Sequence, residues 1–421
     1  MRKQIEQCAT RNSVRADMRK CGNMCLYRRA LTGVLAVLLA VEISACGGKA
    51  KPGQETGVSQ EAEITQEKAS APVWKDMRPE RSMELSYAKQ FSVDYYDGGY
   101  DLIQVQDDST CLVVPEGAAV PEGLPASVTV MQKPLDHVYL AATSAMDLMA
   151  ALGRVDLITL SGTKESGWYV DAARQAMEDG TLSYAGKYSA PDYEQILSSG
   201  CDLALESTMI YHVPDVNAQL EQLKIPVFVE RSSYEEHPLG RMEWIRLYGV
   251  LFDAEETAEQ LFQEQVQQLD TVLTGQSVGK SAAFFYITSN GAVNVRKPGD
   301  YVAKMIELAG GSYVPKTADM DENALSTMNM QMETFYAEAK EADCLIYNST
   351  IEGELQTMDE LLQKSPLLKD FKAVKNGNVW CTGKNMFQET MGLGNMILDM
   401  HAVLSEDMLD EAGLHYLHRL R

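Results

Sequence analysis

Short apolar runs alternate with longer amphipathic ones along most of this chain. Between Phe91 and Pro115, β-forming residues alternate with polar ones around Gly98-Gly99, the period and punctuation of a hairpin. Beyond it, VTVM (128–131) precedes a helical stretch that starts near Ala142, and DLITL (156–160) precedes another from Tyr169 to Met177. DLALES (202–207) and PVFVER (226–231) bracket a third, from Val216 to Leu223. Strands that are apolar throughout, each followed by a helix, predict parallel β-structure covered on both sides. From Leu239 to about Leu273 the pattern changes. Ile245, Leu247, Leu251, Ala258, Leu261, Phe262, Val266 and Leu269 return mostly at helical spacing, with one weak break from Gly249 to Asp253 and no convincing strand. A second alternating set follows: AAFFYIT (282–288), a helix from Asp300 to Leu308, CLIYN (344–348), VW (379–380) and a closing helix from Leu393 to Leu404. The expected fold is therefore α/β, with two Rossmann-like lobes of mostly parallel sheet (81–237 and 275–421) joined by one long α-helix (238–274).

That geometry predicts where chemistry gathers. Open parallel sheets collect ligands beyond the carboxyl ends of their strands, where loops meet helix starts. The loops in that position are polar and aromatic: 163–169, 186–191, 206–212 and 231–241 in the first half, and 289–291, 294–297, 348–350 and 384–387 in the second. Candidate ligand contacts are Lys164, Trp168, Tyr188, Tyr211, His212, Tyr234, Arg241, Arg296 and Lys297. The aromatic rings offer flat faces, and arginine offers a rigid fork of donors to oxygen acceptors. Each has a plainer reading beside this one. Arg296 is equally placed for a salt bridge within its lobe, Arg241 for a strut against an acidic neighbour, and several of the aromatics for core packing.

The N-terminus reads as an address. Arg28-Arg29 precedes an apolar stretch from Ala30 to Val41, and Ser44-Ala45-Cys46 follows, the order of an export signal over 1–45. Twelve residues, interrupted by Thr32 and Gly33, are too few to span a bilayer comfortably. Ile43-Ser44-Ala45-Cys46 resembles a bacterial lipobox, which implies that Cys46 carries lipid and begins the mature chain. The following residues, 46–80, are rich in Gln, Glu, Lys, Ser, Ala and Gly and read as a flexible tether. The expected location is the extracytoplasmic face of the cell membrane.

Composition narrows the function classes. The formal net charge is −23, from 60 acidic and 37 basic residues, which disfavours nucleic acid as a partner. The chain has no G-x-S-x-G elbow, no Walker motif and no dinucleotide glycine pattern, so catalysis is not expected. No loop spells a metal site, and no intrinsic cofactor is expected. Cys111, Cys201, Cys344 and Cys381 each adjoin an apolar run and read as buried thiols.

GTKESGWY, GKYSAPDYE, ESTMIYH, SSYEEHPLGRMEWIRLYG, NVRKPGDYVAKMIELAGG, METFYAEAKEADCLIYN and KNMFQETMG, spread over about residues 80–410, together resemble the substrate-binding lipoproteins of bacterial importers for iron–siderophore complexes, haem and vitamin B12. The resemblance implies two α/β lobes on a connecting helix with the ligand between them. It implies an iron complex as cargo, with corrinoid or haem as alternatives and a free metal ion as a more distant one. It also implies an ABC transporter permease as partner, and its ATPase indirectly, met by one acidic residue per lobe. The matching positions are Glu194 and Glu333. A monomer is expected.

Overall fold

A computed structural model describes residues 71–106, 109–273, 277–316, 327–405 and 409–421. The export segment, Cys46 and the tether up to residue 70 lie outside the described residues. The body begins with a sheet of its own: β1 (Pro79–Ser82), β2 (Phe91–Tyr96), β3 (Tyr100–Val105), β4 (Ser109–Val114) and β5 (Val128–Gln132), in that order across the sheet. Its pairs are antiparallel except β4–β5. The predicted hairpin is β2–β3, with Phe91 opposite Val105 and Tyr96 opposite Tyr100. Gly98 and Gly99 turn it with φ of +79° each, a backbone that side chains with a Cβ rarely adopt. VTVM does not open the parallel set, as the sequence suggested; it forms most of β5, at the edge of this first sheet.

The parallel set starts instead at β6 (Val138–Leu140), three buried residues too few to print a pattern. It continues through β7 (Ile158–Ser161), β8 (Ser183–Tyr184), β11 (Leu203–Ser207) and β12 (Val227–Glu230), with the antiparallel two-residue strands β9 (Gly186–Lys187) and β10 (Ala190–Pro191) forming a hairpin of their own after β8. The main sheet runs β12-β11-β6-β7-β8, all parallel. Helices α1 (Thr143–Ala151), α2 (Asp171–Glu178), α3 (Tyr193–Ser198) and α4 (Pro214–Gln222) connect its strands. Leu203 and Leu205 of β11 enter one core with Trp168 and Trp244, while Ala204 faces another with Tyr139, Ile196 and Leu220. Burial on both faces is why its run reads as continuously apolar.

Where one long helix was expected, the chain makes two, α5 (Pro238–Leu251) and α6 (Glu255–Leu273). The weak break is a true stop. Asp253 holds a φ of +51°, and a Cβ on Gly249 would come within 2.8 Å of the Ala258 Cβ, so the helices pack close there. Helix α5 is buried on nearly every side, including Trp244, Leu247 and Tyr248, and therefore shows no clean stripe. The 19 residues of α6 extend about 28 Å and carry the chain to the second lobe.

The second lobe holds β13 (Ser281–Ile287), β14 (Val293–Arg296), β15 (Ser312–Val314), β16 (Thr327–Met330), β17 (Cys344–Tyr347), β18 (Val379–Thr382) and β19 (Leu417–Arg419). The order is β16-β14-β13-β17-β18-β19, with β15 paired to the first half of β13. Strands β15, β13, β17 and β18 are parallel, β14 and β19 run against them, and β16 pairs antiparallel with β14. The expectation of a mostly parallel second sheet is corrected accordingly. Its cause is a tight turn from Thr288 to Ala292, where Thr288 and Ala292 bond at 2.9 Å, and so short a return permits only an antiparallel partner. Helices α7 (Tyr301–Leu308), α8 (Met332–Ala339), α9 (Ser349–Glu352), α10 (Met358–Lys364), α11 (Lys372–Lys375) and α12 (Leu393–Ser405) complete it, and α12 packs on α5, α6 and α7. Cys344 and Cys381 are buried thiols, Cys111 is buried on β4, and Cys201 is partly exposed.

Candidate functional site

The two lobes meet at the carboxyl ends of their parallel strands. The side-chain amide of Gln388, just after β18, spans the seam: it donates to the Gly167 carbonyl at 2.8 Å and accepts from the Tyr169 amide at 2.7 Å. Beside it, Arg241 of α5 places its guanidinium 3.8 Å from the ring centre of Tyr301, the first residue of α7, while its Nε donates to the Ser232 carbonyl at 3.0 Å. Arg296 approaches the same ring at 5.9 Å and the Phe387 ring at 5.2 Å. An arginine of the connecting helix α5 and one of the second lobe therefore converge on one tyrosine, within a strongly acidic chain.

A crevice of about 300 Å³ opens next to this cluster, with Tyr87, Lys89 and Glu235 to His237 on one wall and Pro298, Gly299, Lys304 and Glu307 on the other. Burial, with help from Lys304 and Lys89, pushes the His237 imidazole down to about 4, so the ring is neutral at ordinary pH. Its Nδ1 accepts from the Leu239 amide at 3.2 Å, capping α5, and the ring stacks on Tyr87.

The loops beyond the strands also carry exposed apolar and aromatic side chains. Tyr169 follows β7, Met209 and Tyr211 follow β11, Tyr234 follows β12 and Ile351 follows β17, with exposures from 37% for Tyr169 to 64% for Ile351. Solvated single hydrophobics are ordinary, and each of these rings or apolar chains offers a contact to an apolar or aromatic ligand where the loops leave the sheets. Arg231 lies 4.4 Å over the Tyr234 ring.

The sequence-predicted residues divide under this geometry. Arg241 and Arg296 are brought together, although Arg296 also pairs with Asp300 at 3.5 Å and is only 15% exposed, so the salt-bridge reading holds as well. Tyr234 reaches the exposed rim, and Lys297 is half-buried next to Arg296. Lys164 is exposed, 5.4 Å from the Tyr184 ring. Tyr188 is half-buried at the tip of the β9–β10 hairpin, and His212 is exposed after β11.

Trp168 offers no face to solvent. It is 1% exposed, packs in the main core and donates from Nε1 to the Ser161 hydroxyl at 3.2 Å, while its neighbour Tyr169 takes the outward position. Tyr211 lines a different concavity, a groove of about 440 Å³ between β12 and the first sheet that involves one lobe alone. It is larger than the crevice but lies away from the seam, and the seam is where both lobes contribute charge. Gln388, Tyr301 and Ile351 were missed by sequence reasoning. Gln388 stands one residue past a polar loop that was recognised, and Tyr301 follows a capping aspartate, whose side chain accepts from Val302 N.

Glu194 and Glu333 are exposed in the first turns of α3 and α8. Each helix leads into a parallel strand, β11 or β17, so both N-termini lie at the ligand-loop end of their lobes. Asp136, His137 and Asp202 bring metal-ligand atoms within 4.8 Å of one another, but at the amino ends of β6 and β11, the opposite end of the sheet. Glu206, one residue from the end of β11, is fully buried with neither carboxylate oxygen hydrogen-bonded among the described residues, and burial pushes it up to about 8.

Residues 139–386, more than half of the chain, match the family model described as "Periplasmic binding protein", and the chain belongs to that family. An uncharacterized lipoprotein of Methanocaldococcus jannaschii is 24% identical over 419 residues, covering 91% of this chain and 94% of the relative. Among solved structures, the periplasmic heme binding protein of Vibrio cholerae superposes with a TM-score of 0.51 at 17% identity, over 62% of this chain and 96% of its own. A periplasmic heme binding protein from Pseudomonas aeruginosa gives 0.50 at 15%, over 68% and 99%. A protein of the Fe3+-hydroxamate transport system of Saccharomonospora viridis gives 0.50 at 20%, over 65% and 94%. These likenesses are of fold. The family comprises non-catalytic, extracytoplasmic solute-binding proteins of ABC importers, so this chain is a binding protein and not an enzyme.

Proposed function

We propose, from membership of this family, that the protein captures a ferric siderophore-like complex between its lobes and hands it to an ABC importer. The observation that carries this reading is the convergence of Arg241, from the connecting helix, and Arg296, from the second lobe, on Tyr301. Ferric siderophores are commonly anionic and rich in oxygen donors, and a guanidinium fork matches them. The exposed Tyr169 and Tyr234 favour haem, or a corrinoid, as the second reading, because a flat macrocycle stacks on such rings. The binding residues under this proposal are Lys164, Tyr234, Arg241, Arg296 and Lys297, with Tyr188 and His212 farther out.

The remaining organisation is part of the same proposal. Cys46 bears the lipid, 46–80 tethers the body to the membrane, and lobes at 81–237 and 275–421 bind as a monomer. Glu194 and Glu333 meet arginines of the permease, each favoured by the positive field of a helix start. One contact per lobe lets the importer read the spacing between lobes.

Titration of intrinsic tryptophan fluorescence with a ferric catecholate, a ferric hydroxamate, haemin and cobalamin tests the cargo. Saturable binding of one class, weakened at least tenfold in Arg241→Ala, is expected. Absence of saturable binding to all four overturns the assignment. For docking, the double variant Glu194→Lys/Glu333→Lys is expected to bind cargo normally yet fail to stimulate the ATPase of its importer in proteoliposomes. Unchanged stimulation removes these two residues from the interface.

A further inference from the structure

We infer that Gln388–Met391 is a latch that sets the gap between the lobes before any cargo enters, with Gln388 positioning Tyr169 at its rim. The inference rests on the reading of that gap as the cargo site. A primary amide carries a donor and an acceptor in one plane, and Gln388 presents both to a single stretch of backbone. Its Nε2 donates to the Gly167 carbonyl and its Oε1 accepts from the Tyr169 amide, at 2.8 and 2.7 Å, much as a neighbouring strand would pair. That backbone is held firmly, because Trp168 between the two contacts is sunk in the core and tied to Ser161.

Two residues on, the same segment grips α1. The Thr390 hydroxyl donates to the Ser144 carbonyl at 3.0 Å, and the Met391 amide donates to the Asp147 carboxylate at 2.7 Å. The segment is anchored to its own lobe as well. Glu389 accepts from the Tyr416 hydroxyl at 2.6 Å and from the Asn385 side chain at 3.1 Å. Phe387 before it packs beside Arg296, and α12 after it lies on the helix pair. Four hydrogen bonds from three residues of this short segment must break together for the lobes to part, so cargo enters a gap of preset width and lobe closure contributes little to capture.

Hydrogen exchange of the cargo-free full chain, resolved to the Tyr169 and Met391 amides, tests the latch. Both are expected to be protected in the wild type. Gln388→Ala is expected to speed exchange at Tyr169 about tenfold. Gln388→Glu keeps an acceptor for the Tyr169 amide but turns a second carboxylate oxygen toward the Gly167 carbonyl, so it is expected to protect Tyr169 more than Gln388→Ala and less than the wild type; a merely structural role for Gln388 would not separate these variants. Gln388→Ala/Thr390→Val is expected to increase the radius of gyration in small-angle scattering. A melting temperature measured for each variant separates latch release from unfolding, and Gln388→Glu decides if Gln388→Ala does not fold. Rapid exchange at Tyr169 in the wild type, or identical exchange in wild type and Gln388→Ala, overturns the latch. Neither measurement uses cargo. A protected Tyr169 in a protein that binds none of the four probes would sink the cargo assignment and leave the latch standing.

Discussion

Arg241 of the connecting helix α5 touches Tyr301 of the second lobe, the guanidinium 3.8 Å from the ring centre, although 60 residues separate them in the chain. Such a stack is worth about 0.5–2 kcal/mol, more as water is excluded, and it holds a cation where an anionic ligand would sit. Arg241→Lys keeps the charge but not the planar fork. It is expected to weaken cargo binding less than Arg241→Ala, with both melting within a few degrees of the wild type. Titration and thermal melts check this, and equal affinity in all three proteins would remove Arg241 from the site.

Trp168 and Tyr169 are adjacent and should respond oppositely. Trp168 is a core residue, so Trp168→Ala is expected to cost about 3–5 kcal/mol in urea denaturation. Tyr169 points outward, so Tyr169→Ala is expected to leave the denaturation midpoint nearly unchanged and to weaken the binding of haemin or a ferric complex. A Tyr169→Ala protein as unstable as Trp168→Ala would show the exposed ring to be structural.

Glu243 is fully buried and accepts from the backbone amides of Ser86, Tyr87 and Ala88 at 2.7–2.8 Å, and from Arg246 at 3.1 Å. It staples the segment before β2 to α5. Glu243→Ala strands three amide donors, while Arg246 keeps Glu259 and the Glu84 carbonyl, and is expected to destabilise by about 3–5 kcal/mol. Equilibrium unfolding measures it, and a loss below 1 kcal/mol would mean that water replaces the staple.

Burial raises Glu206 from the ordinary carboxyl range to about 8. The folded state therefore prefers the protonated form, and this contribution to stability is complete below the unfolded value near 4.5 and fades as pH rises through about 8. Glu206→Gln keeps the shape and removes the titration. Its melting temperature is expected to match the wild type near pH 5 and to exceed it at pH 9, by an amount on the order of a few kcal/mol in stability. Parallel pH profiles in the two proteins would place the titration elsewhere.

Much of the fold is legible locally. The β2–β3 hairpin, β11, β12, α7 and α12 all stand where period and turn residues put them, because those signals come from neighbours within a few positions. The failures have physical causes. β6 has three residues, too few for any period, so VTVM carries the stronger strand signal although it belongs to β5. The return of β14 against β13 depends on a tight turn at Gly291 that marks a hairpin only once β13 is known to pair there. In the site, Arg241 and Arg296 were legible as cations in polar loops, whereas Trp168 and Tyr169 could not be told apart. Both are aromatic, and which one enters the core depends on Ser161 and on elements far away in sequence.

By itself the sequence determined that this is an α/β chain in two sets of strands and helices separated by a helical stretch, with an acidic surface and polar, aromatic loops after its strands. Those properties follow from periodicity, charge and composition, which are written residue by residue. Only the tertiary structure decided that a separate sheet precedes the parallel one, that the linking stretch is two packed helices, that the second sheet is mixed, and that Gln388 reaches Tyr169. The first and the last of these depend on contacts between residues tens to hundreds of positions apart, whereas the helix break and the return of β14 rest on nearby backbone geometry that periodicity does not carry. Such distant contacts are chosen by the packing of whole elements and leave no local mark in the chain.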